Sequence, residues 1–207
     1  RAAPQIAASL HRKSNEEAEL EEIAAQNAEL HGHVVMCGYG RVGQSIGRFL
    51  RSEHHDFVAL DYDPDRIQEA AKVDSCVHYG DARRGDLLRA VGLDRARLLV
   101  IAVDNTEVAM CVLKEARLIT LDVPVLVRTR DDSQLAELKA AGATEVVPEL
   151  LESSLMLASH ALILLGLSEK TVRHRVDEVR HNRYHLLEGC IETPDARENQ
   201  GFTRENE

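Results

Sequence analysis

His33-Val34-Val35-Met36-Cys37-Gly38-Tyr39-Gly40-Arg41-Val42-Gly43 decides the fold of this chain. A short apolar run feeds directly into Gly-x-Gly-x-x-Gly and then into a helix-forming segment. On its own a glycine triplet is a weak signal. Here a second apolar strand, Phe57-Val58-Ala59-Leu60, follows at the spacing of a βαβ unit and ends on Asp61. Together these are the marks of a Rossmann-type nucleotide-binding unit. Each glycine has a task. Gly38 permits the tight turn off the strand. Gly40 lets a phosphate approach the backbone without a Cβ in the way. Gly43 lets the helix pack close to the sheet. The helix that starts near Arg41 points free N–H groups at the phosphate. Asp61 is placed to accept hydrogen bonds from a ribose diol, and its charge repels a 2′-phosphate.

From His33 onward, strands and helices alternate. Strands are expected at 33–38, 56–61, 75–79, 97–103, 123–128 and 144–147. Helices are expected at 41–53, 64–73, 83–91, 105–119, 131–141 and 149–165. Asp63-Pro64-Asp65 opens the second helix with proline in its first turn. Leu98-Leu99-Val100-Ile101-Ala102-Val103 is continuously apolar, as parallel strands buried on both faces are. The fold class is therefore α/β, a doubly wound parallel sheet of six strands. A helix at 149–165 and a short helical tail follow it. The helix is apolar on more than one face and needs a cover; a partner subunit and burial within the domain are both open at this level.

The flanks differ from this core. Residues 1–31 read as an acidic, solvated helix with a capping box at Ser14-Asn15-Glu16-Glu17, or else as a linker at the chain end. Arg173, Arg175, Arg180 and Arg183 alternate with His174, His181 and His185 in a basic helical face, which solvent alone would explain. Residues 193–207 are polar and read as a disordered tail.

Composition narrows the function. With 25 Lys and Arg against 35 Asp and Glu the formal net charge is −10, which argues against nucleic acid as a partner. The four cysteines, Cys37, Cys76, Cys111 and Cys190, form no Cys-x-x-Cys, so no zinc or redox motif is present. Cys37 and Cys76 read as buried free thiols. No segment is apolar for long enough to span a bilayer.

Ligands of such sheets bind beyond the carboxyl ends of the strands. Those ends supply Gly38, Tyr39, Gly40, Arg41, Val42 and Gly43; then Asp61 and Tyr62; then Asp81 and Ala82; then Val103 and Asp104; and finally Arg128. Arg41 falls near the phosphates, and Asp81 and Ala82 near the base. An exocyclic amine donating to Asp81 favours adenine. No catalytic set accompanies these residues. His160 reads as a packed or interface histidine, His54-His55 as a surface turn, and Ser153-Ser154 has neither elbow motif nor base. Lys139 and Lys170 have no strand-end partners. The residues alone describe a module that binds a nucleotide without transforming it.

Several ordered segments resemble the regulatory domain known as RCK or TrkA-N, most closely the cytosolic C-terminal domain of Kef-type monovalent cation:proton antiporters. They are Gly38–Gln44, His78-Tyr79-Gly80-Asp81-Ala82, Asp86–Ala90, Arg128-Thr129-Arg130, Leu138–Ala143, Val147-Pro148-Glu149 and Val179–Leu187. The resemblance implies a linker at 1–31 from a preceding membrane domain and a nucleotide-binding domain at 32–148. It implies homodimerisation through the helix at 149–165, within a C-terminal segment at 149–190 that precedes the tail at 191–207. It implies an adenine nucleotide ligand, AMP foremost, with NAD(H) or ATP/ADP as alternatives. It also implies a possible glutathione-like anion held by Arg41 and Arg130. The place implied is the cytoplasmic face of the inner membrane, as the soluble part of a multi-pass potassium or monovalent cation antiporter. Asp61 stands where several Kef members carry Glu, and the resemblance does not extend into the tail beyond Gly189. Two other readings remain: a peripheral NAD-binding subunit of a potassium uptake system, and a small NAD-dependent oxidoreductase, for which the sequence supplies no catalytic residue.

Overall fold

The computed structural model describes residues 16–72 and 76–181. The capping serine at Ser14 and the expected tail lie outside them. A helix over 16–26 (α1) leads into β1 (Val34–Cys37). The order then runs α2 (Arg41–Ser52), β2 (Phe57–Asp61), α3 (Pro64–Ala71), β3 (Val77–Tyr79), α4 (Gly85–Ala90) and β4 (Leu98–Ile101). It continues with α5 (Thr106–Ile119), β5 (Val125–Thr129), α6 (Leu135–Ala140), β6 (Glu145–Pro148), α7 (Glu149–Leu164) and α8 (Glu169–His181). The six strands form one parallel sheet in the order β3-β2-β1-β4-β5-β6. The order reverses between β1 and β4, and this is where a doubly wound sheet opens its crevice.

Burial explains the apolar runs. Every residue of β1 and β2 is buried, because helices cover both faces of the sheet centre. Val35, Cys37, Val58 and Leu60 face one layer with Leu88, Val112, Leu113 and Leu138. Val34, Met36, Phe57 and Ala59 face the other, against Ile46, Leu50, Ile67 and Ala70. At the edges the demand relaxes: β5 alternates buried and half-buried residues, and only the first residue of β3 is buried. Burial pushes the Cys37 thiol up to about 12, as expected for an inert core cysteine; Cys76 is only half-buried.

Two helices start later than the sequence suggests, and side-chain turns are the reason. Before α6, Asp131 Oδ1 accepts from the Ser133 N–H at 3.1 Å and the Ser133 hydroxyl at 2.6 Å. Before α4, Asp81 Oδ1 accepts from the Arg83 N–H at 3.0 Å. Asp and Ser divert the backbone into such turns. Pro64 does open α3, whose N-cap Asp63 accepts from the N–H groups of Asp65 and Arg66.

The chain divides into two compact units, residues 1–150 and 151–207. In the second unit, α7 buries Leu155 and exposes Met156, Leu157 and Leu164, and Leu165 just beyond it is also exposed. Arg180 Nη2 of α8 donates to Glu152 Oε2 at 2.5 Å, so this basic residue is paired within its unit. His160 is exposed.

Candidate nucleotide site

The glycine turn is built from both sides. Gly38 adopts φ +96°, and a Cβ there would lie 3.1 Å from Val103. Gly43 sits where a Cβ would lie 2.3 Å from the Gly38 carbonyl oxygen, so any side chain would force α2 off the sheet. Gly40 is different. Its φ of −71° suits any residue, and the nearest atom to a Cβ would be Arg66 Nη1 at 3.5 Å. Packing requires Gly38 and Gly43 to be glycine; it does not require this of Gly40. The space above Gly40 opens onto the N-terminus of α2, which no side chain caps and whose first turn carries no acid. Its first N–H groups have no partner inside the helix, and the helix dipole favours an anion there.

Asp61 ends β2 buried, with its side chain only 1% exposed. One oxygen accepts from the Tyr39 N–H at 2.6 Å and the other from the Asp63 N–H at 2.9 Å. Arg66 Nη1 lies 3.4 Å from Oδ2 and Arg66 Nε 3.0 Å from Asp63 Oδ2. The first task of Asp61 is thus to brace the glycine turn. A carboxylate offers about four acceptor positions, so one remains for an incoming hydroxyl.

These groups wall a cleft of about 700 Å³ at the switch point, within the roughly 300–1,000 Å³ of small-molecule sites. The structure brings together Gly38, Gly40, Arg41, Val42, Asp61, Tyr62, Asp81, Ala82, Val103, Asp104 and Arg128 on its walls. Tyr39 and Gly43 are not on them. The Tyr39 ring turns into the layer beneath α2, stacks with Phe57 at 6.0 Å between centroids, and its hydroxyl accepts from Arg51 Nη2 at 2.9 Å. Its apolar body and its partner lie there, so only its backbone serves the turn. Gly43 is taken up by helix packing. Arg130 is exposed and off the cleft wall, because β5 ends at Thr129 and the chain swings into the Asp131 turn.

Two charged wall residues were not legible as such in the sequence: Arg66, whose only hint is its i+3 spacing from Asp63, and Glu149, the first residue of α7. Glu149 and Asp104 both hold the Arg128 guanidinium, whose Nη1 also donates to the Ala102 carbonyl at 3.3 Å. The bond to Arg128 holds the Asp104 carboxyl below its ordinary range. Asp81 is likewise lowered, by its bidentate bonds from Arg83. Arg41 is exposed on the lip of the cleft; its carbonyl accepts from the Ser45 hydroxyl at 2.9 Å, and its guanidinium has no hydrogen-bond or ion-pair partner among the described residues. With Arg66 and Arg128 committed to carboxylates, Arg41 is the wall cation left for a phosphate. No group of His, Cys, Asp and Glu among the described residues is arranged to hold a metal ion.

Residues 34–149 match the TrkA-N domain model. The chain belongs to the TrkA-N family. It is 46% identical over 162 residues to a protein of Alkalimonas amylolytica named as the K(+) efflux antiporter KefB; the match covers 77% of this chain and 24% of that protein. The glutathione-regulated potassium-efflux system protein KefC of Salmonella arizonae is 34% identical over 155 residues, covering 75% of this chain and 25% of its own. The chain thus spans about a quarter of the length of these antiporters. Among solved structures, the Kef C-terminal domain of Shewanella denitrificans in its AMP-bound form superposes with a TM-score of 0.65 at 31% identity, covering 76% of this chain and 96% of that one. The expected doubly wound fold and family are both met.

Proposed function

We propose that this chain is the cytosolic regulatory domain of a potassium (monovalent cation):proton antiporter, and that its strand-end cleft binds an adenine nucleotide, AMP foremost. The observation that carries the reading is Gly40: a glycine that packing does not need, open over an uncapped helix N-terminus, beside an uncommitted arginine. That is a place for a phosphate. The AMP-bound relative supports the choice of nucleotide.

In this reading the phosphate lies on the Gly40–Val42 backbone with Arg41 alongside. The ribose takes the remaining acceptor position of Asp61. The base lies among Tyr62, Ala82, Val103 and Asp81, with its amine donating to Asp81. The Asp81–Arg83 pair is exposed, and exposed pairs are easily remade. Arg128 joins the cleft to Glu149, the first residue of α7. An anion that competes for Arg128 releases Glu149, and ligand binding then biases the start of α7.

Residues 149–165 form the homodimer contact, since Met156, Leu157, Leu164 and Leu165 are exposed and apolar. Residues 1–31 are the linker from the membrane part of the parent protein at the cytoplasmic face of the inner membrane. The ligand gates transport by shifting populations, to the extent of its differential affinity for two arrangements. The domain binds and signals; it does not turn over a substrate.

Mass spectrometry of the small molecule released on denaturing the purified chain tests this. AMP is the expected species. Release of NAD(H) alone moves the reading to a peripheral NAD-binding subunit. A chain that carries no nucleotide and takes up none at millimolar concentration overturns it.

A further inference from the structure

We propose that His78 and Asn27 form a proton-sensing latch that holds α1 on the domain when the histidine is neutral and releases it when the histidine is protonated. Asn27 directly follows α1 and is buried. Its Nδ2 donates to the Ile23 carbonyl at 2.7 Å, and the same nitrogen lies 3.0 Å from His78 Nε2 on β3. The carbonyl only accepts, so it fixes which amide atom faces both partners. Nδ2 has two hydrogens, one for each. His78 Nε2 must therefore present its lone pair, and the ring is neutral with its proton on Nδ1.

Protonation of His78 puts an N–H on Nε2, facing the amide N–H₂. Turning the amide over does not rescue the contact, because Oδ1 would then face the Ile23 carbonyl oxygen. Either way one buried polar contact is broken. The turn is also held by the Leu30 N–H, which donates to the Asn27 carbonyl at 3.2 Å, and by Arg95, whose Nη2 donates to the Asn27 carbonyl at 3.2 Å and Nε to the Leu30 carbonyl at 3.3 Å. They hold the base of the helix exit whatever the state of His78.

The surroundings of His78 agree with a neutral ring. Burial lowers its pKa, and the one charge that acts against this is Glu22 on α1. Its neighbour on β2 is Leu60. At the start of α4, Arg84 and Asp86 are paired with each other. His33, at the foot of β1, is a second buried histidine with a lowered pKa, but its Nε2 donates to the Val91 carbonyl at 2.9 Å and it does not touch α1 through Asn27.

The sign follows from linkage. The docked state disfavours the charged ring, so its pKa there is below that of the undocked ring. Docking is then fully supported above the undocked value and weakens as pH falls below it. With an undocked pKa of about 6.5, lowering pH from 7.5 to 5.5 shifts the docking equilibrium toward release by up to about tenfold. His78 is followed by Tyr79, Gly80 and Asp81, and the last two line the cleft. If residues 1–31 are the linker proposed above, this latch makes the linker sensitive to proton concentration. That consequence rests on the proposed function; the latch itself does not.

Hydrogen exchange of the 207-residue chain, followed by mass spectrometry at pH 7.5 and 5.5 and corrected for intrinsic rates, tests it. Protection of residues 16–30 falls by up to about tenfold at the lower pH, while β1 and β4 stay protected. In His78→Gln, whose amide oxygen can accept from Asn27 without titrating, protection of 16–30 no longer depends on pH. An equal fall in the variant, or no fall in the natural chain, overturns the latch. Should the variant not fold, NMR titration of His78 in the natural chain decides: a pKa at or above the ordinary histidine value overturns it.

Discussion

Substituting alanine at Gly40 and at Gly43 separates ligand chemistry from folding within one six-residue motif. At Gly40 the backbone is extended and a Cβ meets only the end of the flexible Arg66 side chain, at 3.5 Å. Gly40→Ala should therefore leave folding unharmed, and can gain roughly 0.4–1 kcal/mol from a stiffer unfolded chain. The methyl group occupies the path of a phosphate toward the α2 N–H groups. Hydrogen bonds to a charged group contribute about 1.5–3 kcal/mol each. Losing one or two weakens AMP binding by about 2–4 kcal/mol, or roughly 30- to 1,000-fold. At Gly43 a Cβ would come within 2.3 Å of the Gly38 carbonyl. Gly43→Ala must push α2 outward, at a cost of about 1–3 kcal/mol or more. Urea unfolding of the nucleotide-free proteins and calorimetric titration with AMP read the two effects. A Gly40→Ala chain that unfolds early or binds AMP like the natural chain contradicts these roles. A Gly43→Ala chain as stable as Gly40→Ala contradicts them equally.

Asp61→Asn should destabilise the nucleotide-free domain by about 1–3 kcal/mol. Both of its oxygens accept backbone N–H groups, and an amide can satisfy only one of them; an unfolding midpoint equal to that of the natural chain would count against the brace. Cys37, with its thiol pushed up to about 12, should react with a thiol reagent near neutral pH only on unfolding, whereas exposed Cys111 reacts at once. Peptide mass mapping distinguishes them, and fast labelling of Cys37 contradicts the packing. Leu157→Asp, at a site 72% exposed, should yield a monomer in analytical ultracentrifugation with little change in melting temperature. A dimer that survives it does not use this face.

The alternation of strands and helices was legible because central parallel strands are buried on both faces and so read as unbroken apolar runs. Val34–Cys37 and Phe57–Asp61 are such runs. Boundaries were less legible where side chains make the turn: nothing in the apolar pattern shows that Asp131 and Ser133 postpone α6. Eleven of the cleft residues could be named from strand ends alone. That the Tyr39 ring leaves the wall was not legible, because its direction depends on a stacking partner 18 positions away, Phe57. Arg66 and Glu149 escaped notice for a related reason. Each is defined by the carboxylate or guanidinium it meets across the cleft, and a single sequence does not display those meetings. The Asn27–His78 contact, 51 positions apart, was hidden in the same way.

The most direct test is a calorimetric titration of the ligand-stripped chain with AMP, adenosine and ribose 5-phosphate, repeated on Arg41→Ala. One AMP binds per chain, both fragments bind more weakly, and the loss in Arg41→Ala falls on the two phosphorylated ligands and spares adenosine. AMP that does not bind, or binding that Arg41→Ala weakens equally for adenosine, would contradict the proposed site.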